Sequence, residues 1–228
     1  MIKKGGVGMY IKVNGVELFY EKEGSGPPLV LVHGNGEDHF IFDQCTKALS
    51  GSFTVYRPDS RGHGKSSRVP KLHYQDMADD MVLFIKELEL SQPFFYGFSD
   101  GGIIGLLVAS QHPDLLSRLM VSGANLNPKG LKAPIYLFFR TLFLFKKDPA
   151  MEMMLTEPHI GKGDLERISI PVWVTAGQRD MIRESHTREI AEQIADSRLM
   201  LLSGQSHGSY VVHSTRLAQI IKEAMEEN

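Results

Sequence analysis

Short runs of β-forming residues alternate with longer segments of helical period along most of this chain. Residues 9–13 and 16–22 flank Asn14-Gly15, a dipeptide that accepts the positive φ of a tight turn, so the chain is predicted to open with a β-hairpin. Residues 29–32 are an unbroken aliphatic run that stops at His33-Gly34-Asn35-Gly36. A run without alternation suits a strand buried on both faces of a parallel sheet. Helices are then predicted at 40–49, 74–88, 103–110, 184–194 and 210–226, and strands at 53–56, 94–98, 119–122, 172–176 and 199–202. Strands and helices in this alternation imply right-handed crossovers and a mostly parallel sheet covered on both faces, an α/β architecture.

One segment breaks the rhythm. Residues 126–168 place about 40 residues where the other connections are short, and insertions of that size are usually functional lids or disordered. Within it, residues 133–145 read as a helix with Ile135, Phe138, Phe139 and Leu142 on one face, yet Leu137 and Leu144 make it apolar nearly all round. Such a helix either covers an apolar pocket as a lid or packs as an ordinary core helix. The expected organisation is a core of residues 1–125 and 169–228 with a lid insertion at 126–168. Met151, Met153 and Met154 offer the lid an adaptable surface or plain packing.

Composition narrows the class. With 228 residues, 42% hydrophobic and 23% charged, the chain has the make-up of an ordinary globular protein, and a chain this long buries roughly 70% of its unfolded surface without staples. The single cysteine, Cys45, excludes an internal disulfide, and the net charge of -2 gives no electrostatic reason to expect nucleic acid or an anionic membrane as partner. Lys3 and Lys4 are followed by Gly5, Gly6 and Gly8, not by the apolar run of about seven residues that a signal peptide needs. The 133–145 stretch is interrupted by Arg140 and falls short of the roughly 20 residues of a membrane span. A cytoplasmic protein without a membrane span is expected.

The candidate chemistry lies at strand ends. Gly97-Phe98-Ser99-Asp100-Gly101 matches G-x-S-x-G between a predicted strand and a predicted helix, where a sharp turn would lift the Ser99 hydroxyl out of the sheet. The glycines let strand and helix approach closely. Asp180 follows the strand at 172–176, at the edge where ligands bind in parallel α/β folds, although an Asp there could equally cap the next helix. His207 lies in the loop after the strand at 199–202. A serine hydroxyl needs a neutral imidazole to accept its proton, and the imidazole needs a carboxylate to fix its tautomer, so Ser99, Asp180 and His207 in this order form a candidate triad. Asp100, a charge beside the reacting centre, favours an amino-bearing substrate or is hydrogen-bonded within its own turn. The nine histidines show no H-E-x-x-H or C-x-x-C spacing, and Gly24-Ser25-Gly26-Pro27-Pro28 lacks the lysine of a phosphate-binding loop, so no metal and no cofactor are expected.

From about Val16 to the last helix the chain resembles the α/β-hydrolase-fold serine hydrolases. The resemblance rests on the nucleophile turn, His33-Gly34-Asn35-Gly36, the stretch from Asp59 to Ser66, Gly177 to Asp180, and Ser206-His207-Gly208. It implies Ser99 as nucleophile, His207 as base, Asp180 as its acid, and the backbone N–H groups of Asn35 and Asp100 as oxyanion hole, with Asp59 and Arg61 structural. In this family an Asp in place of Ser99 would have indicated a dehalogenase or epoxide hydrolase. The implied activity is hydrolysis of a small to medium carboxylic ester through an acyl-enzyme. Amide, thioester and carbon-carbon bond hydrolysis, or a ligand receptor on the hydrolase fold with little turnover, stay open, because pocket and not nucleophile separates them. The expected partner is a small-molecule ester, with room for a homodimer through the lid.

Overall fold

The computed structural model describes residues 7–226. β1 (Val7–Val13) and β2 (Val16–Gly24) pair antiparallel across Asn14 and Gly15, whose φ values of 44° and 76° are those a two-residue hairpin turn requires. β2 pairs antiparallel with β4 (Thr54–Pro58), and β3 (Pro28–Val32), β5 (Phe94–Phe98), β6 (Arg118–Ser122), β7 (Val172–Arg179) and β8 (Ser197–Ser206) extend the sheet in parallel. The strand order is β1-β2-β4-β3-β5-β6-β7-β8. After β4 the chain crosses back over β3 to lay down β5, which makes the β3/β5 boundary a switch point. Ligands bind outside the strand ends at such points.

The unbroken aliphatic strands are explained by burial on two sides. Leu29, Leu31, Phe94 and Tyr96 face a core shared with α1 (Asp43–Leu49) and α8 (Arg216–Glu226). Val30, Val32 and Phe95 face the opposite core, under α2 (Tyr74–Glu87) and α3 (Asp100–Gln111), to which Ile190 of α7 (Glu184–Gln193) also belongs. Each fully buried Leu or Phe side chain contributes roughly 1.5–3 kcal/mol.

Several predicted boundaries move. The helix expected from residue 40 is a 3-10 turn, His39–Phe42, followed by α1. The last helix starts at Arg216 and not at Tyr210. His213 adopts a φ of 49°, which breaks a helix, while Tyr210 and Val211 are buried in the core and Ser214 caps the new start through the Arg216 N–H.

The insertion between β6 and β7 folds as α4 (Ala133–Lys146), α5 (Pro149–Thr156) and α6 (Lys162–Leu165). Asp148 accepts the N–H groups of Ala150 and Met151, so α5 begins at once after α4. No residue of α4 is buried, which removes the core-helix reading. Its inner side is half-buried at Ile135, Phe139, Leu142 and Phe143, but Phe138, predicted to share that face, is exposed. Among the described residues no helix is long and apolar enough to cross a membrane.

Candidate active site

The turn after β5 carries the site. A Cβ on Gly97 would lie 2.0 Å from the Gly101 carbonyl oxygen, and one on Gly101 would lie 2.1 Å from the Val32 carbonyl oxygen, so any side chain at either position would push the helix off the sheet. That closeness forces Ser99 to φ 54° and ψ -112°, a conformation costing on the order of 1–3 kcal/mol for a non-glycine residue. Its N–H still donates to the Ser122 carbonyl, 2.7 Å, so the serine is held at the strand end with its hydroxyl projecting from the sheet.

The three predicted residues meet there. The Ser99 hydroxyl lies 3.1 Å from His207 Nε2, and His207 Nδ1 lies 2.6 Å from Asp180 Oδ1. Asp180 Oδ1 also accepts the Ile182 N–H at 2.8 Å, which fixes the carboxylate, but it does not cap the following helix, whose N-cap is Arg183 with no side-chain cap. With the carboxylate on Nδ1, the Nδ1–H tautomer is favoured and the Nε2 lone pair faces the serine. The imidazole packs on Phe98, ring centroids 4.9 Å apart, and over Gly123, where a Cβ would come within 2.6 Å of His207 Cε1.

The loop after β3 forms the other wall. His33 accepts the Ser60 N–H on Nε2 (3.0 Å) and donates from Nδ1 to the Gly34 carbonyl (2.8 Å), and complete burial, helped by nearby His63, lowers its pKa to about 4. A neutral imidazole therefore ties this loop to the one after β4. Among the described residues neither the Asn35 N–H nor the Asp100 N–H has an acceptor within the protein. Asp100 N–H is the first amide of α3, where orphaned donors and the helix dipole favour negative charge.

Asp100 is buried, and its carboxylate is engaged on both oxygens. Oδ1 accepts the Tyr74 hydroxyl at 2.7 Å and Oδ2 accepts the Asn35 side-chain amide at 2.9 Å. Burial raises its pKa, opposed by these two donors. The carboxylate is thus hydrogen-bonded, but to α2 and the loop after β3 and not within its own turn as expected. The same Asn35 amide donates to the Ala150 carbonyl of α5, 2.9 Å, so one side chain joins the β3 loop, the start of α3 and the insertion between β6 and β7.

Asp59 and Arg61 lie outside the site. Asp59 accepts the His39 N–H and imidazole, both at 2.7 Å, and the Lys65 N–H, whereas Arg61 forks onto the buried Asp80. These contacts are those of loop anchors.

A cavity of about 170 Å3 opens at Ser99, lined by Asn35, Glu37, Phe98, Phe139, Met154, Met181 and His207. Met151 and Met153 are buried packing residues, so only Met154 of the three reaches the cavity. Glu37 was not visible as a site residue from sequence. Its carboxylate accepts the Gly34 N–H at 3.0 Å, and burial raises its pKa. The available signal was its place one residue beyond His33-Gly34-Asn35-Gly36. A wider groove of about 960 Å3, between Lys129, Tyr136, Leu155, His159 and Arg183, contains none of the three residues.

Comparison with known proteins agrees with this architecture. A family model described as the alpha/beta hydrolase fold matches residues 27–151. The serine hydrolase BPHL of Homo sapiens is 24% identical over 249 residues, covering 95% of this chain and 85% of that protein. Among solved structures, a thermophilic esterase from Thermogutta terrifontis aligns with a TM-score of 0.79 at 21% identity, covering 97% of this chain and 98% of the other. A meta-cleavage product hydrolase from Pseudomonas fluorescens IP01 aligns with a TM-score of 0.80 at 18% identity, again covering 97% and 98%. At such identities the solved structures establish a shared fold.

Proposed function

The chain belongs to the alpha/beta hydrolase fold family, and from that premise we propose that it is a serine hydrolase that cleaves a small to medium, largely apolar carboxylic ester. The observation that carries this reading is the continuous hydrogen-bonded line from Ser99 through His207 to Asp180, at 3.1 and 2.6 Å, at the mouth of a cavity. In acylation, Ser99 Oγ attacks the ester carbonyl carbon while His207 Nε2 takes the hydroxyl proton, and Asp180 stabilises the imidazolium. The carbonyl oxygen becomes an oxyanion within reach of the Asn35 and Asp100 N–H groups, donors left without acceptors in the fold. The imidazolium then returns its proton to the departing alcohol. Water, deprotonated by His207, then attacks the acyl carbon, and as the bond to Ser99 Oγ breaks the imidazolium returns the proton to Ser99, releasing the acid and the free enzyme.

Cavity chemistry supports the substrate class. Phe98, Phe139, Met154 and Met181 supply an apolar wall, and about 170 Å3 is below the roughly 300–1,000 Å3 of pockets for drug-sized ligands, which favours a short acyl group. A panel of p-nitrophenyl esters tests the reading. Expected are a burst of p-nitrophenol equal to the enzyme concentration and a preference for short acyl chains. Tight binding of such esters without turnover would instead indicate a receptor on the hydrolase fold.

A further inference from the structure

The wide groove beside the insertion, about 960 Å3, lies within the roughly 300–1,000 Å3 of pockets that hold a drug-sized ligand. Its lining has two parts. Leu131, Ala133 and Tyr136, at and just before the start of α4, join Leu155 of α5 in an apolar surface. Asn127, Lys129, His159 and Arg183 supply most of the polar part.

That polar part is built of donors. The Arg183 guanidinium is held by one bond, from Nε to the Leu131 carbonyl at 3.3 Å, which leaves both Nη groups without an acceptor among the described residues. Among the same residues the Lys129 ammonium and the Asn127 side-chain nitrogen donate to no protein group, because Asn127 is bonded through Oδ1, which accepts the Lys129 N–H at 3.1 Å. No Asp or Glu lines the groove. The acids nearest in sequence are engaged elsewhere: Glu157 accepts the Tyr74 N–H and pairs with His73, Glu184 pairs with Arg188, and Asp180 holds His207. Unpaired guanidinium and ammonium groups beside an apolar surface match an apolar molecule with a negative end, and the guanidinium fork fits two oxygens of a carboxylate or phosphate.

The groove is also separate from the Ser99 cavity. Residues 130–132 pair with residues 181–183 through the Arg183 N–H on the Gly130 carbonyl (2.8 Å), the Lys132 N–H on the Met181 carbonyl (3.0 Å) and an antiparallel bridge between Leu131 and Ile182. Along this ladder Met181 lines the Ser99 cavity, whereas Leu131 and Arg183 line the groove. The helices divide in the same way: Phe139 of α4 and Met154 of α5 reach the Ser99 cavity, Tyr136 and Leu155 the groove.

We infer that the groove is a second ligand site, for an organic anion whose apolar body rests on Leu131, Tyr136 and Leu155 and whose carboxylate or phosphate end is held by Arg183 and Lys129. Isothermal titration of the full chain with four compounds of one body tests this: 6-phenylhexanoate, 6-phenylhexyl phosphate, 6-phenylhexanol and 6-phenylhexylamine. Calorimetry reads binding without turnover, so the result is independent of whether Ser99 is a nucleophile. Expected is saturable one-to-one binding of at least one anion with Kd below about 1 mM, the alcohol at least about tenfold weaker and the amine weaker still. The tighter of the two anions identifies the head group. Arg183→Gln should weaken that anion about tenfold or more. Ala133→Glu, which adds a carboxylate to the groove, should do the same; an acid at the first position of α4 suits the helix dipole, so this variant keeps the site testable if the other fails to fold. Thermal unfolding reports the fold of each. Absence of saturable binding of either anion, an alcohol that binds as tightly, or folded variants that bind the anion as the wild type does would overturn the inference, the last by placing the anion elsewhere, as in the Ser99 cavity.

Discussion

Replacing Asn35 by Ala removes a side chain while leaving its main-chain N–H in place, and so asks what the side chain does for that donor. The Nδ2 group donates to the buried Asp100 carboxylate and to the Ala150 carbonyl, both at 2.9 Å. A hydrogen bond to a charged group is worth about 1.5–3 kcal/mol and a neutral one about 0.5–1.5 kcal/mol, so the substitution should destabilise the protein by about 2–4 kcal/mol. For a chain of this size that is a fall in Tm of roughly 4–16 °C. The effect on catalysis follows from position. Deleting an oxyanion donor costs about 10²–10³ in kcat, and a donor that is loosened but still present should cost less, about 10- to 100-fold. The Ser99, His207 and Asp180 geometry is untouched, and KM for a short ester should change little, because the lost interaction is with the oxyanion and not with the ground state. Steady-state kinetics on p-nitrophenyl acetate, with a melting curve, measure both effects. A variant with the predicted drop in Tm but kcat within about twofold of wild type would refute the reasoning, since the side chain would then hold α5 in place without positioning the donor.

Three further substitutions probe neighbouring parts of the account. Asp180→Asn should fold and lose about four decades of kcat, because an amide on Nδ1 favours the wrong imidazole tautomer; near-normal turnover would assign the acid elsewhere. Phe139→Ala should shift the ranking of short against long acyl esters, by no more than about 10- to 200-fold, whereas Phe138→Ala, on the exposed side, should leave the ranking alone; equal effects from both would mean the helix packs differently in solution. His33, with its pKa lowered to about 4 by burial, takes up a proton on unfolding near the reference of roughly 6.5. Its contribution, on the order of 3 kcal/mol, is complete above that pH, declines as pH falls towards 4 and is constant below; urea midpoints for wild type and His33→Gln should show a shallower pH slope in the variant over that window, and identical slopes would contradict the assignment.

Where local pattern decides structure, the sequence was readable. Asn14-Gly15 alone announces the hairpin, and the aliphatic run at Leu29 to Val32 announces a strand with cores on both faces. Gly97 and Gly101 bracket a serine that only a close strand-helix approach could use. Features that depend on partners distant in sequence were not readable. The Asp100 carboxylate is satisfied by Tyr74, 26 residues earlier, and by Asn35, 65 residues earlier, and no local pattern encodes either bond. Phe138 and Phe139 are adjacent and chemically identical, so only the seating of α4 on α5 decides which one enters the cavity. The start of α8 fails for the same reason: Tyr210 and Val211 are apolar because the core needs them, not because a helix has begun.

The central claim, that Ser99 is an activated nucleophile, is tested most directly by fluorophosphonate labelling followed by peptide mapping. Only Ser99 combines the strained turn, the His207 contact and two unused main-chain donors, so the account predicts one fast adduct, on the peptide containing Ser99, and none in Ser99→Ala. An adduct that persists at the same rate in Ser99→Ala, or a wild-type protein that remains unlabelled, would contradict it.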